Sequence, residues 1–295
     1  MNDRSNRRQP QAPGDAELEA VDPRREHWRS GSYEIVGDWL APASLSVLDL
    51  AEQAGGRSLD GRRLLDVATG TGTVAIEAGR RGADVLGVDI TPELLEVARK
   101  RADEAGVDVR FGVADFDELD VLGGGEVFDV VTSSFGVMFA PHPASTLSGL
   151  GRRLDAGGVI AVAAWDPDGV FMVPESMLEL LPERPEMSDM TLWTTRIPEL
   201  ASSAGCEVVA TRTDDLLIGF ESPGDAAVQL ERWSVGWPQL LTMFDGLGVG
   251  AEARRRFEAH LADFSRPTDD GVALVVGFFT AVIRPAGVRR PGVGG

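Results

Sequence analysis

Short apolar runs alternate with amphipathic stretches between about residues 57 and 165. The apolar runs, which predict buried β-strands, are 63–68, 84–90, 107–113, 128–134 and 159–165. The amphipathic stretches, which predict helices, are 73–81, 91–105 and 144–154. Nearly continuous apolar strands that alternate with helices are typical of a parallel sheet covered on both faces. The pattern therefore predicts an α/β fold.

The alternation of strand-like and helix-like stretches stops on both sides of this segment. Residues 25–55 predict two short helices ahead of the first strand, and 166–205 are irregular and rich in Pro. The later pattern predicts a long strand at 206–220, helices at 223–233 and 251–264, and a closing strand at 272–283. From these changes we expect a disordered tail at 1–20, a helical segment at 21–56, a core at 57–165, a C-terminal part at 166–285 and a flexible tail at 286–295.

One loop, in the segment LLDVATGTGTVA at 64–75, carries the candidate chemistry. The first strand ends near Asp66, and Gly70 and Gly72 then open a helix, where free N–H groups and a close backbone approach favour a ligand. Asp89 ends the next strand, where its carboxylate can accept hydrogen bonds from both hydroxyls of a ribose. Asp115 ends the third strand. Because the carboxyl ends of neighbouring parallel strands lie at one edge of the sheet, these acids predict a single crevice that binds a nucleoside.

The same loop also fits the dinucleotide fingerprint through Gly70, Gly72 and Ala75, although that match alone is weak. Asp66 argues against a dinucleotide, because its carboxylate would repel the pyrophosphate. A ligand with an ammonium group and no phosphate suits the acid better, and S-adenosylmethionine is such a ligand.

Taken in order, these motifs resemble the class I S-adenosylmethionine-dependent methyltransferases, in particular the ubiquinone/menaquinone-biosynthesis type. The segment 66–72 is similar to the first motif of the family, and 128–143 and 154–165 are similar to its fourth-strand and fifth-strand motifs. Ala68 departs from the pattern, since the family usually has Gly there. The resemblance implies a Rossmann-like, doubly wound, seven-stranded, mostly parallel sheet. It also implies a helical N-terminal lid over 21–56 and a helical cap inserted before the last strand.

The resemblance also implies where the cofactor would bind. The candidate cofactor-binding residues are Tyr33, Asp66, Ala68, Thr69, Gly70, Gly72, Asp89, Ile90, Asp115, Phe116 and Ser133. Tyr33 belongs with Trp28 and Trp39 to the expected lid, although these aromatic residues could equally fix the segment onto the sheet. Ser133 is as easily a turn residue as a ligand contact.

His142 is our candidate general base, because it follows the fourth strand near the expected acceptor side. An exposed loop position is an equal alternative for this histidine. Paired acids elsewhere in the chain lack a supporting His or third acid, so we expect no catalytic metal.

The amino-acid composition limits the classes of partner that we expect. The formal net charge is −19, which disfavours nucleic acid and anionic membranes as partners. Cys206 is the only cysteine, which excludes an intrachain disulfide, and the first twenty residues have no apolar signal segment. We therefore expect a cytoplasmic protein. A homodimer is a possible oligomeric state. Met and Trp residues after 166 are consistent with a pocket for a hydrophobic small molecule, or simply with the core of a cap.

The leading hypothesis is a methyltransferase that acts on a hydrophobic small molecule in secondary metabolism, by O- or C-methylation. The alternative is a cyclase, or another non-methyl-transferring enzyme of natural-product biosynthesis, that keeps the cofactor site. A nicotinamide-dependent oxidoreductase and a non-catalytic partner subunit are further rivals.

Overall fold

The structure is a computed structural model that describes residues 23–29, 33–119, 125–183 and 190–287. The strands are β1 Arg63–Val67, β2 Asp84–Asp89, β3 Arg110–Val113, β4 Phe128–Ser134, β5 Leu154–Trp165, β6 Cys206–Phe220, β7 Ser265–Thr268 and β8 Gly271–Pro285. The helices are α1 Pro23–Arg29, α2 Tyr33–Ser44, α3 Ser46–Gly55, α4 Thr73–Arg80, α5 Pro92–Ala105, α6 Pro143–Arg152, α7 Glu175–Leu178, α8 Ile197–Ser203, α9 Pro223–Trp233, α10 Gly236–Gly246 and α11 Gly250–Asp263. The tail expected at 1–20 and all but the first two residues of the tail expected at 286–295 lie outside the described residues.

One mostly parallel sheet organises the chain. Its strand order is β3-β2-β1-β4-β5-β8-β6, and β8 runs antiparallel to both of its neighbours. The short strand β7 pairs with the beginning of β8, so the sheet has one strand more than the seven that we predicted. The expected Rossmann-like α/β fold is confirmed.

Two local features differ from the prediction. Residues 155–158, between the predicted helix at 144–154 and the predicted strand at 159–165, form a bulge inside β5, where the pairing with β4 jumps from Phe128↔Leu154 to Val130↔Val159. Helix α10 was not predicted, because glycines at both of its ends and Pro238 hide its periodicity. It nevertheless buries Trp237, Leu241 and Phe244, which are spaced as on one helical face. Helices α9, α10 and α11 therefore stand where two helices were expected between β6 and the closing strand.

Buried side chains on both faces fix the central strands. Leu64 and Leu65 on β1 and Val130 and Val131 on β4 have no exposed surface, so the carboxyl ends of these strands are held in place. Residues at those ends can then be positioned by the backbone alone.

Helix α3 packs against the sheet through a buried polar contact. The hydroxyls of Ser46 and Thr280, on β8, are 2.7 Å apart. Both residues are almost completely buried, so each hydroxyl supplies the hydrogen-bond partner that the other requires.

Removing only one hydroxyl of this pair should lower the stability more than removing both, because the remaining hydroxyl is buried without its partner. We expect Ser46→Ala or Thr280→Val alone to lower the free energy of unfolding by about 1–3 kcal/mol, because one buried hydroxyl loses its partner. The double variant should lose less than the sum of the two, as measured by chemical denaturation. Strictly additive losses would contradict the coupling.

Candidate functional site

A cavity opens at the carboxyl ends of β1, β2 and β4, below α1 and α2. Its lining residues are Trp28, Val36, Gly37, Leu40, Ser44, Asp66, Ala68, Thr69, Gly70, Thr71, Thr73, Val74, Asp89, Ile90, Leu94, Ala114, Phe116, Ser134, Phe135, Gly136 and Phe139. The space free of atoms, including the open mouth, is about 1030 Å³. The predicted crevice therefore exists as one cavity.

Asp66, on β1, is a buried carboxyl group in the wall of this cavity. It accepts hydrogen bonds from the hydroxyls of Thr69 at 2.6 Å and Thr132 at 2.7 Å. Burial raises the pKa of Asp66 to about 6, with a smaller contribution from the nearby charge of Asp89. The two hydroxyl donors act in the opposite direction and favour the charged form. The site thus holds an anion that is incompletely compensated by the protein.

Asp89, at the end of β2, joins its strand to the glycine loop. One carboxylate oxygen accepts from the N–H of Gly70 at 2.9 Å, and the other accepts from the N–H of Thr91 at 2.9 Å. Burial raises the pKa of this carboxyl group, while the backbone donors lower it. Each carboxylate oxygen can accept more than one hydrogen bond, so Asp89 retains capacity for ligand hydroxyls.

The two glycines of the loop have different roles. Both have positive φ, at 55° for Gly70 and 82° for Gly72. A Cβ on Gly70, which lines the cavity, would meet nothing within 4 Å. A Cβ on Gly72 would lie 3.1 Å from the Cβ of Ala98 on α5. Gly72 therefore serves the packing between α4 and α5 and is not among the lining residues, so its contact with the cofactor stays a prediction.

Most of the other predicted cofactor-binding residues gather at the cavity. Ala68, Thr69, Ile90 and Phe116 line it as expected. Ala68 has φ of 55°, a conformation that favours glycine, which explains why the family usually has Gly there. The side chain of Tyr33 lies outside the described residues.

Three predicted site residues besides Gly72 do not line the cavity. The hydroxyl of Ser133 faces away and accepts from the N–H of Val137 at 3.2 Å. Asp115 stands beside the cavity and pairs with Arg24 of α1 at 2.6 Å. His142 is exposed at the start of α6, so the structure does not bring it to the other site residues. Its role as a base stays a prediction.

Ser134 takes the place that we expected for Ser133. Side chains alternate along a strand, so Ser134 shares the face of Thr132, whose hydroxyl binds Asp66. The Ser134 hydroxyl lines the cavity, is buried, and has no hydrogen-bond partner among the described residues. The sequence contained this residue in the fourth-strand motif, but only the register of β4 decides which serine faces the ligand.

Several aromatic residues lie at or near the cavity, and of these the sequence singled out Trp28 and Trp39 but not Phe135 or Phe139. Phe135 has φ of 56° and stacks on Trp165 with ring centroids 3.6 Å apart. Trp28 packs edge-on against Phe139 at 4.8 Å, and both line the cavity. Trp39 instead packs against Phe220 of β6 at 5.6 Å, so it fixes α2 onto the sheet.

Comparisons with known proteins agree with this geometry. Residues 64–158 match the family described as a methyltransferase domain. An uncharacterized protein of Mycobacterium tuberculosis, Rv1403c, is 39% identical over 147 residues, which are 50% of this chain and 52% of the relative. Aklanonic acid methyltransferase DauC of Streptomyces sp. strain C5 is 29% identical over 198 residues, which are 60% of this chain and 86% of that protein. Demethylmenaquinone methyltransferase of Thermus thermophilus is 39% identical over 108 residues, which are 36% of this chain and 48% of that enzyme.

Solved structures share the fold. A candidate methyltransferase (BH2331) from Bacillus halodurans C-125 has a TM-score of 0.53 and 20% identity, and the match covers 81% of this chain and 99% of that one. The chain spans about half the length of the first curated relatives, 52% for Rv1403c. The expected resemblance to methyltransferases is confirmed, since residues 64–158 match a methyltransferase-domain family.

Two further findings concern the described part of the chain only. None of its helices is both long enough and apolar enough to cross a membrane. Among the same residues, no group of three or more His, Cys, Asp or Glu side chains could hold a metal ion.

Substitutions of the two loop glycines should have different effects, one mainly on ligand binding and the other mainly on stability. We expect Gly70→Ala to weaken S-adenosylhomocysteine binding by about tenfold or more, because its methyl group enters the cavity. Gly72→Ala should lose more thermal stability, because strain at positive φ adds to the contact with Ala98. Calorimetry and thermal unfolding measure the two effects, and the reverse order would contradict the assignment.

Neutralising Asp66 should stabilise the ligand-free protein at neutral pH. Because the folded pKa of about 6 exceeds the unfolded value of 3.8, this group stabilises the fold below pH 3.8, and that contribution is lost as pH rises through 6. Asp66→Asn should thus gain up to about 3 kcal/mol over the wild type at pH 7.5, and less at pH 5. The exposed Asp103→Asn is the control and should show no such trend. An Asp66→Asn advantage that grows as pH falls would be the contrary result.

Proposed function

We propose that this chain is an S-adenosylmethionine-dependent methyltransferase that acts on a hydrophobic small molecule. The observation that carries the proposal is the pair of buried carboxyl groups, Asp66 and Asp89, on neighbouring strands at one cavity with a glycine loop between them. A metabolite with a cationic amino-acid group and a ribose matches both carboxylates.

The residues present fit this cofactor. The Asp66 carboxylate would hold the ammonium group, and the positive charge would compensate the anion that burial disfavours. Asp89 would accept the ribose hydroxyls, and the open space above Gly70 leaves room for close approach to the backbone. The buried hydroxyl of Ser134, which finds no partner among the residues that the structure describes, supports a polar ligand group nearby.

When bound, the cofactor supplies a methyl group on a positively charged sulfur, which is a good leaving group. The chain then has to align the acceptor and exclude water. The cavity lining offers five apolar side chains that can do both, namely Trp28, Val36, Leu40, Phe135 and Phe139. This apolar lining supports a hydrophobic acceptor.

The names of two relatives support the same acceptor class. They are methyltransferases of demethylmenaquinone and of aklanonic acid, and both are named for one organic acceptor molecule. Methylation at oxygen or carbon, with a place in secondary metabolism, completes the proposal. A cytoplasmic location belongs to the proposal as well.

Transfer of a labelled methyl group tests this function. The protein is incubated with methyl-labelled S-adenosylmethionine and an organic extract of small molecules, and both the label in the extract and free S-adenosylhomocysteine are measured. We expect both to appear with the wild type and neither with Asp89→Ala. Binding without S-adenosylhomocysteine release would indicate a non-methyl-transferring enzyme, and no binding at all would overturn the proposal.

Two adjacent serines provide a matched pair for the binding site. Ser134→Ala should weaken S-adenosylhomocysteine binding by about three- to tenfold with unchanged or slightly higher stability, since its hydroxyl has no hydrogen-bond partner in the described part of the chain. Ser133→Ala should leave affinity nearly unchanged and cost about 1–3 kcal/mol of stability, because the N–H of Val137 loses its acceptor. Calorimetry and denaturation distinguish them, and equal effects of the two variants would contradict this difference.

A further inference from the structure

Strand β6 is a long open edge of the sheet. It is the last strand in the strand order, and its 15 residues pair with β8 on one side. Among the described residues, none outside β8 hydrogen-bonds to the backbone of 207–219. Pro and Lys, which commonly protect an edge strand, are absent from the sequence of β6. The outer side of β6 can therefore accept another strand.

A contact of β8 shows which backbone groups of β6 point outward. The carbonyl of Gly277 accepts from the N–H of Asp166 at 3.0 Å, so Gly277 uses the side of β8 that faces away from β6. Gly277 lies opposite Asp215 of β6. In an antiparallel pair, each residue directs its N–H and C=O to one side, and successive residues alternate. Asp215, Thr213 and Thr211 therefore direct these groups away from β8.

The charged side chains of β6 are already compensated within the chain. Each acid of the strand has an arginine partner, in the pairs Arg212–Asp214, Arg266–Asp215 and Arg284–Glu207. The edge is thus close to neutral, whereas the formal net charge of the whole chain is −19. Because that net charge opposes contact between two copies through an acidic surface, the compensated edge is the more favourable place for such contact.

A second copy of the chain fits this edge in one antiparallel register, with Thr213 opposite Thr213 of the second copy. Arg212 then lies opposite Asp214 of that copy, and Thr211 lies opposite Asp215. Paired threonines and opposite charges are favourable cross-strand neighbours. A shift of the centre by one residue places Arg212 against Arg212, or Asp214 against Asp214, and directly opposed like charges are unfavourable.

We propose that the chain forms a two-fold symmetric homodimer through antiparallel pairing of its β6 strands, centred on Thr213. The backbone groups of Thr211, Thr213 and Asp215 then gain partners, and each favourable contact occurs twice because the interface is isologous. The second copy also lies beside Leu217, whose exposed fraction is 56%. This inference does not depend on the proposed function.

Charge reversal tests the register by sedimentation velocity on the full chain, which we expect to be a dimer. Arg212→Asp and Asp214→Arg each place like charges opposite one another, so each should raise the dissociation constant of the dimer at least about tenfold. An equal mixture of the two variants should form heterodimers, because their strands then carry opposite charges. Asp103→Arg makes the same charge change as Asp214→Arg at an exposed position on α5, and it should leave the dimer nearly unchanged.

A proline substitution tests the backbone pairing separately. Thr213→Pro removes the outward N–H at the centre and leaves the inward hydrogen bonds to β8, so it should give a folded monomer. Thr213→Val keeps the N–H and should remain dimeric. Far-UV circular dichroism shows whether each variant is folded, and if Thr213→Pro unfolds, the mixture of charge variants still decides. A monomeric wild type, a dimer that the reversals do not weaken, or a mixture without heterodimers would overturn the inference.

Discussion

A carboxyl group buried at the end of the first strand is the constraint around which the site is built. Placing the Asp66 carboxylate away from water is costly, and the hydroxyls of Thr69 and Thr132 offset only part of that cost, since the pKa still rises to about 6. The protein therefore keeps an anion that a cationic ligand would stabilise. Such a group lowers stability without a ligand and increases selectivity for one.

The parallel sheet makes this arrangement possible. Because β1, β2 and β4 are neighbours and end at the same edge, Asp66, Asp89 and Ser134 reach one cavity from three separate parts of the chain. Ala68 and Phe135 have strained positive φ where β1 and β4 end, and both line the same cavity. The central strands are buried on both faces, so their packing can stabilise the strained backbone at these two residues.

Sequence patterns located the central strands of the sheet and the glycine loop at the cavity. Apolar runs located the central strands, and the spacing of Asp66, Gly70 and Asp89 located the loop, because these signals are local. The choice between Ser133 and Ser134 depends on which face of β4 points to the cavity, and the role of Gly72 depends on contact with Ala98, far along the chain. The partner of Asp115 is Arg24 on a separate helix, which no local pattern reveals.

Proton release on ligand binding tests the central role of Asp66 most directly. With a pKa of about 6, this carboxyl group is half protonated near pH 6, and a bound ammonium group would ionise it. Titration calorimetry with S-adenosylhomocysteine at pH 6, in two buffers of different ionisation enthalpy, should reveal release of about half a proton by the wild type and almost none by Asp66→Asn. Tight binding without proton release, or equal release by both proteins, would contradict the account.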